Sequence, residues 1–214
     1  MERLFLRAAA AAIVVGCALS ARADIVGFGG AVAVRTPPAD ISLGLWESNT
    51  EARLWSERSV VLTSPLHLDA VNTGTIATEG DAIPGQVTAG NTVASYMLRV
   101  DSVGSTEATY SGYVEFDQPV LGVLIFRSTL NGSDDLLGRA GVTYNTNAQR
   151  GLDFPPQVAD PFTVSADRRR IDFAFSIGNW TDDIRIVTAV PAPGSAVLGL
   201  LLGGVGLLRR SRRA

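Results

Sequence analysis

Few residues of this sequence have the types and spacing that catalysis requires. His67 is the single histidine among 214 residues, and Asp69 follows it by two positions. Residues two apart in a strand share a face. That spacing does not by itself form the His–Asp hydrogen bond of a catalytic triad, and the chain contains no Gly-x-Ser-x-Gly elbow. We therefore predict that His67 is a structural or surface histidine.

Two acidic residues on one predicted strand are the other catalytic candidates. Glu115 and Asp117 alternate with apolar residues and are expected on one outward face, about 7 Å apart along the chain. A glycosidase places two carboxylates on either side of a sugar, whereas the same alternation is ordinary on the solvated face of a sheet. We predict a solvated face and no catalytic activity. A hydrolase whose pocket unites His67 or a pair of acids is the less favoured alternative.

Calcium is the metal that this composition accommodates best. One histidine, together with a single cysteine close to the N-terminus, leaves no typical zinc ligand set. Calcium binds oxygen ligands in flexible geometry, although the chain has no EF-hand loop pattern. We predict no cofactor, with calcium as the alternative. Its candidate ligands are aspartates expected near strand ends and loops: Asp101, Asp117, Asp134, Asp135, Asp182 and Asp183.

Aromatic side chains suggest a further alternative, which is carbohydrate binding. Exposed rings stack on sugars because their faces offer broad apolar contact. In a domain of this size such rings are more often buried in the core. A carbohydrate-binding module acting in an extracellular matrix therefore stays an alternative. The rings that it would use are Trp46, Trp55, Trp180, Tyr110 and Tyr113.

The elements that must position these residues are predicted to be strands. In 170–177, RIDFAFSI, apolar residues alternate with Asp, Ala and Ser, and alternation with a period of two is typical of strands. Strand patterns recur in 59–70, 93–101, 108–116, 120–126 and 181–190. Short strands separated by turn residues predict an all-β fold, an antiparallel β-sandwich or jelly-roll-like domain over 24–189.

Helix signals are almost absent from this body. The segment 46–59 fits either a short helical turn or a strand. Gly, Asn, Asp and Pro predict turns at 36–40, 117–119, 131–135 and 155–156.

The charge distribution excludes some classes of partner. The whole chain has a formal charge of −3, but residues 24–193 hold 20 acidic residues against 11 arginines, a formal charge of −9. An acidic body argues against binding to nucleic acid and to anionic lipid surfaces.

The N-terminal segment has the layout of a secretory signal peptide. Arg3 and Arg7 precede an apolar run, and Ala21 and Ala23 supply the small residues that a signal peptidase requires at its cleavage site. We predict a signal helix within 1–23 and cleavage after Ala23. The segment VVGC loosely resembles a lipobox, so that a lipid on Cys17 is the alternative.

The C-terminal segment combines two prolines, a short apolar run and an arginine cluster. Val190 and Pro191 precede Pro193 and Gly194, and a proline suits the first turn of a helix. Residues 195–208 are uncharged and would span about 21 Å as a helix, against a hydrocarbon core of about 30 Å. We predict a short transmembrane helix here. The positive-inside rule leaves the terminal arginines in the cytoplasm: Arg209, Arg210, Arg212 and Arg213.

In this order, these three parts resemble the PEP-CTERM sorting signal of Gram-negative bacteria that make exopolysaccharide. The resemblance covers 190–214, and Ala192 stands where the family name has glutamate. It implies recognition by an exosortase, a membrane-embedded, cysteine-dependent transpeptidase that cuts near the Pro-x-Pro and releases or re-attaches the body outside. The two prolines agree with this, because they keep the backbone extended and open to a protease. A plain C-terminal anchor without processing is the alternative.

The body is also similar to exported PEP-CTERM proteins of unknown function, and this resemblance brings no activity with it. The shared segments are WESNT at 46–50, Glu57 before VVLTSPLHLD, VASYMLRVDSVG, GYVEFDQPVLGVLIF and DDIRIVTAVPAP. Together the resemblances imply an exported protein of the cell surface or exopolysaccharide matrix. Its processing partners would be signal peptidase and exosortase, its contact with the inner membrane would be transient, and exopolysaccharide would be a further partner.

Overall fold

The structure is a computed structural model that describes residues 23–157, 159–178 and 180–191. These residues form strands, one α-helix and a short 3-10 turn at Glu79–Asp81. In chain order the elements are β1 (Ile25–Gly30), β2 (Val32–Val34), β3 (Asp40–Ile41), β4 (Ala52–Val61), β5 (Leu66–Leu68), β6 (Gly74–Ile76), β7 (Gly85–Val87), β8 (Thr92–Asp101), β9 (Ala108–Phe116), β10 (Val120–Leu124), α1 (Arg127–Leu137), β11 (Thr143–Tyr144), β12 (Phe162–Val164), β13 (Arg170–Ile177) and β14 (Thr181–Ala189).

Ten of these strands form two five-stranded sheets. Sheet A has the order β1-β9-β13-β12-β6, and sheet B has the order β10-β14-β8-β4-β2. All pairs in sheet A are antiparallel. In sheet B the pairs are antiparallel except β2 with β4, and the short pair β3–β11 is parallel as well. The all-β prediction is therefore confirmed, and pairing is mainly antiparallel, with two short parallel contacts, β2 with β4 and β3 with β11.

The alternating residues of both sheets face one shared core. Sheet A contributes the four apolar residues of β13 that alternate from Ile171 to Ile177, and sheet B contributes those of β8 from Ala94 to Val100. Tyr96 of sheet B packs against Phe116 of sheet A with ring centroids 4.8 Å apart. Because one buried cluster includes residues of both sheets, the arrangement is consistent with an all-β sandwich.

Sheet B is buried on both faces. Its second face carries Trp55, Met97 and Val187, which pack in a separate apolar cluster with Leu130 and Leu137 of α1. Every residue of β14 from 181 to 188 is consequently buried. The polar side chains of these strands therefore lie inside the protein and require partners there.

Helix α1 corrects one prediction. Residues 131–135, expected to form a turn, lie inside this helix. Leu130, Ser133 and Leu137 are its buried residues, and their spacing of three and four places them on one helical face. Burial of that face against sheet B overrides the weak helix propensity of Asn, Gly, Ser and Asp, which local sequence reasoning weighs first.

A side chain from a distant strand end fixes the start of α1. Oδ2 of Asp69 accepts hydrogen bonds from the backbone N–H groups of Ile125, at 2.7 Å, and Phe126, at 3.0 Å, and from the hydroxyl of Thr129, at 2.6 Å. These donors lie immediately before the helix and in its first turn, where backbone N–H groups lack helical partners. Asp69 thus acts as a long-range helix cap.

Most other element predictions are confirmed. The strands predicted at 93–101 and 170–177 correspond to β8 and β13, and 117–119 connects β9 to β10. The segment 46–59, which fitted a helical turn or a strand, leads into β4, while 59–70 forms the end of β4 and the separate β5. Within the described ranges no helix is long and apolar enough to cross a membrane. The predicted signal and transmembrane helices lie outside the described residues.

Candidate functional site

Both ends of the β body are held by the turn between β9 and β10. The backbone N–H of Asp24 donates to Oδ1 of Asp117 at 2.8 Å, and the N–H of Asp117 donates to the carbonyl of Asp24 at 3.1 Å. At the other end, the N–H of Ala189 donates to the carbonyl of Pro119 at 2.9 Å. The first and last segments of the described β body are therefore both hydrogen-bonded to this turn.

The N-terminal junction is integrated into the fold. Ala23 is buried in the shared core, and the hydroxyl of Tyr96 donates a hydrogen bond to its carbonyl oxygen. A cut after Ala23 would remove Ala23 together with the signal segment, so this buried contact belongs to the unprocessed chain and not to a mature body that begins at Asp24. Ala21, the other residue of the predicted cleavage site, lies outside the described residues, as does Cys17.

The described C-terminal end of the body becomes exposed to solvent just after the last strand. Strand β14 ends at Ala189, Val190 is half-buried, and Pro191 is exposed. The remaining residues of the predicted sorting signal lie outside the described residues: Pro193, Gly194, Arg209, Arg210, Arg212 and Arg213.

The structure does not combine the catalytic candidates into a triad or a carboxylate pair around a substrate. His67 is exposed on β5, while Asp69 uses its carboxylate at the start of α1. Glu115 and Asp117 both line an open depression of about 510 Å³. There Glu115 binds the guanidinium of Arg170 at 3.0 Å, and Asp117 accepts the N–H of Asp24. Both acids therefore have structural partners.

The aromatic candidates are distributed over different environments. Trp55 and Tyr110 are buried. The rings of Trp46 and Trp55 pack edge-on, with their centroids 5.4 Å apart. The guanidinium of Arg170 lies 3.8 Å above the ring of Tyr113. Trp180 is the most exposed of the five, at 39%. Among the described residues, these five rings do not form the flat platform of neighbouring rings that sugar stacking favours.

A buried ion network joins α1 to sheet B. Arg185 of β14 binds Glu57 of β4 through two bonds, from Nε to Oε2 at 2.7 Å and from Nη2 to Oε1 at 2.9 Å. It also binds Oδ1 of Asp134 in α1 at 2.8 Å. Burial alone would lower the pKa of Arg185, but the carboxylates of Glu57 and Asp134 raise it above its ordinary value. The hydroxyl of Tyr144 donates to Oε1 of Glu57 at 2.6 Å.

Most of the aspartates proposed as calcium ligands form ion pairs with arginines or lie apart from the other candidates. Asp134 and Asp183 bind Arg150, at 2.6 and 2.9 Å, and Asp101 binds Arg99 at 2.6 Å. Each of these carboxylates has an arginine partner, and Oδ1 of Asp183 makes no hydrogen bond among the described residues. Asp117 has its partner in Asp24, and Asp135 is exposed on α1.

Asp182 differs from the other candidates, because it lies in a second acidic group. Asp153, Asp160 and Asp182 place one carboxylate oxygen each within 4.8 Å of the other two. Asp182 is 2% exposed, and its Oδ2 has no hydrogen-bond partner among the described residues. Asp160 is completely buried, whereas Asp153 is exposed. We refer to these three residues as the aspartate cluster.

The electrostatics of the aspartate cluster are unfavourable for three ionised acids. Burial raises the pKa of Asp160 to about 6, against hydrogen bonds from the backbone N–H groups of Ser176 and Asp153. Burial also raises the pKa of Asp182, and the charges of Asp160 and Asp153 act in the same direction. A proton or a bound cation is therefore required to neutralise this cluster.

Sequence reasoning identified only one member of the aspartate cluster. Asp153 and Asp160 lie in a loop before β12, and Asp182 lies on β14. Their spacing matches no ligand pattern, and Asp182 alone was among the candidates. Only the pairing of distant segments brings the three carboxylates together.

Comparisons of the chain with protein-family models, with curated proteins and with solved structures find no match. The resemblance to PEP-CTERM proteins therefore stays a prediction that rests on the residues themselves.

Proposed function

We propose that this chain is an exported protein of the cell surface or exopolysaccharide matrix, cut by signal peptidase at its N-terminus and by an exosortase at its C-terminus. The mature product is the β body, and its role is structural rather than catalytic. We also propose that the two sheets form a sandwich or jelly-roll-like domain, and their shared core supports this.

The position of Pro191 relative to the last strand is the observation that carries the proposal. Strand β14 ends at Ala189, whose N–H donates to the carbonyl of Pro119, and Pro191 is exposed two residues later. A cut at or after Pro191 removes no residue of β14. All strands of the described body therefore stay in the processed chain.

The common location of the two ends supports the same function. Asp24 and Ala189 bind Asp117 and Pro119 of one turn. The first and last described segments of the body therefore lie at the same side of it.

The experiment is mass spectrometry of the surface-exposed protein from a host that makes an exosortase and from the same host without it. With the exosortase, we expect a mature chain that begins at Asp24 and lacks Arg209 and the residues after it. Replacing both Pro191 and Pro193 with alanine should leave the C-terminal segment attached, because the extended protease site is lost.

The matched control is Pro38→Ala, which changes an exposed proline of a loop far along the chain from the sorting motif. It should be processed normally. An intact segment from Arg209 to Ala214 on the surface-exposed protein, in the host with the exosortase, would contradict the proposal. A chain retained inside the cell would contradict the export step.

A further inference from the structure

We propose that Asp153, Asp160 and Asp182 form a calcium-binding site that joins the loop before β12 to strand β14. This inference goes beyond sorting, because it concerns what stabilises the body once it has been exported. It depends on the geometry of the aspartate cluster and not on the fate of the two terminal segments.

The loop is organised to hold two of the three ligands. The backbone N–H of Asp160 donates to the carbonyl of Asp153 at 3.0 Å, and the N–H of Asp153 donates back to Oδ2 of Asp160 at 2.9 Å. Oδ1 of Asp160 also accepts the N–H of Ser176 in β13, at 2.8 Å. These bonds fix the orientation of the Asp160 carboxylate, as outer hydrogen bonds do for metal ligands. Each of its oxygens retains a second lone pair for a cation.

The third ligand comes from the other sheet. Asp182 lies on β14, two positions before Ile184 and on the same face, which turns toward the shared core. Its carboxylate therefore faces sheet A and the loop, and its Oδ2 lacks a hydrogen-bond donor among the residues described. An unpartnered buried carboxylate is costly unless a positive charge compensates it.

Arginines do not supply that charge. The charges that act on Asp182 most strongly are those of Asp160, Asp153, Asp183 and Asp101, and all are negative. Arg99 pairs with Asp101, and Arg150 pairs with Asp183. Arg99 lies opposite Asp183 in the strand ladder, on the face of sheet B that points away from the shared core and from Asp182. A cation from solution meets the need directly, and the exposed side chain of Asp153 provides its path from solvent.

The dimensions of the cluster fit calcium. The three oxygens lie within 4.8 Å of one another. Two oxygens on opposite sides of one calcium ion lie at most about 5 Å apart, since calcium–oxygen distances are 2.3–2.6 Å. Oxygen-only ligation with remaining positions for water suits calcium, whereas magnesium demands near-ideal octahedral geometry. Extracellular calcium modules bind with dissociation constants of about 0.1–1 mM, and we expect this range here.

The test is the thermal unfolding of the full chain in detergent, first in a chelator and then with calcium titrated through that range. Calcium should raise the Tm of the wild-type chain, and magnesium at equal concentration should raise it much less. Asp182→Asn and Asp153→Asn should each weaken the apparent calcium affinity by about tenfold or more. Asp135→Asn, which removes the same charge from an exposed position on α1, should respond as the wild type does.

The two variants separate a metal site from a shared proton. If the cluster only shares protons, calcium leaves the wild-type Tm unchanged, and the proposal is overturned. It is equally overturned if calcium stabilises both variants as strongly as the wild type, because the ion then binds elsewhere. Asp153→Asn keeps the test informative even if Asp182→Asn does not fold, since Asp153 is exposed.

Discussion

The substitution Glu57→Gln tests whether the buried network holds α1 on sheet B. Glu57 and Arg185 are fully buried and form a two-bond pair. Glutamine keeps the shape of the side chain but removes its charge and, in either orientation of its amide, turns one NH2 donor toward a donor nitrogen of Arg185. The arginine then retains Asp134 as its carboxylate partner, and Arg150 uses that same carboxylate.

The expected loss of stability is large. Removing one partner of a buried ion pair costs about 3–5 kcal/mol, because the remaining charge is left in a low-dielectric environment. Domains of this size have unfolding free energies of about 5–15 kcal/mol. Denaturant unfolding of the full chain should therefore show a midpoint shift that removes a substantial fraction of the total, with the slope of unfolding free energy against denaturant unchanged.

Two further variants make this prediction specific. Glu57→Met combined with Arg185→Met removes both charges and leaves Asp134 paired with Arg150, so it should recover most of the loss. Glu115→Gln is the matched control on β9, where the pair with Arg170 is exposed to solvent, and it should change the midpoint little. A loss below about 1 kcal/mol for Glu57→Gln, or a double variant no more stable than the single one, would refute the reasoning.

Two other substitutions test the contacts at the helix start and at the N-terminal junction. Asp69→Ala leaves the N–H of Ile125 in the core without its acceptor. We expect the free energy of unfolding to fall by about 1–3 kcal/mol, which lowers the denaturation midpoint and speeds amide exchange in α1. Unchanged exchange in α1 would contradict the capping role. Asp117→Asn should destabilise the mature chain by about 0.5–1 kcal/mol more than the unprocessed chain, because cleavage before Asp24 creates an ammonium group beside Oδ1 of Asp117. Equal effects on both forms would show that the mature chain begins elsewhere.

The strands were predictable because their local pattern agrees with their burial. In β13 the residues from Ile171 to Ile177 alternate between core and surface, and the period of two shows this directly. Helix α1 was not predictable, since its stretch of Asn, Gly, Ser and Asp is typical of turns. It is held by Asp69, 58 positions before the helix begins, and by Arg185 from the last strand. Local propensity contains no information on such distant partners.

The candidate sites also differ in whether the sequence alone can indicate them. The processing segments stay predictions, and sequence alone can make them because an enzyme that recognises a linear segment requires its signals to be contiguous in sequence. The aspartate cluster could not, since its ligands come from a loop and from a strand of the opposite sheet. Asp182 and Asp183 are adjacent in sequence, yet one faces the shared core and the cluster while the other binds Arg150 on the opposite face. Alternation in β14 therefore gives Asp183 an arginine partner and places Asp182 in the aspartate cluster, because the two faces of the strand meet different partners.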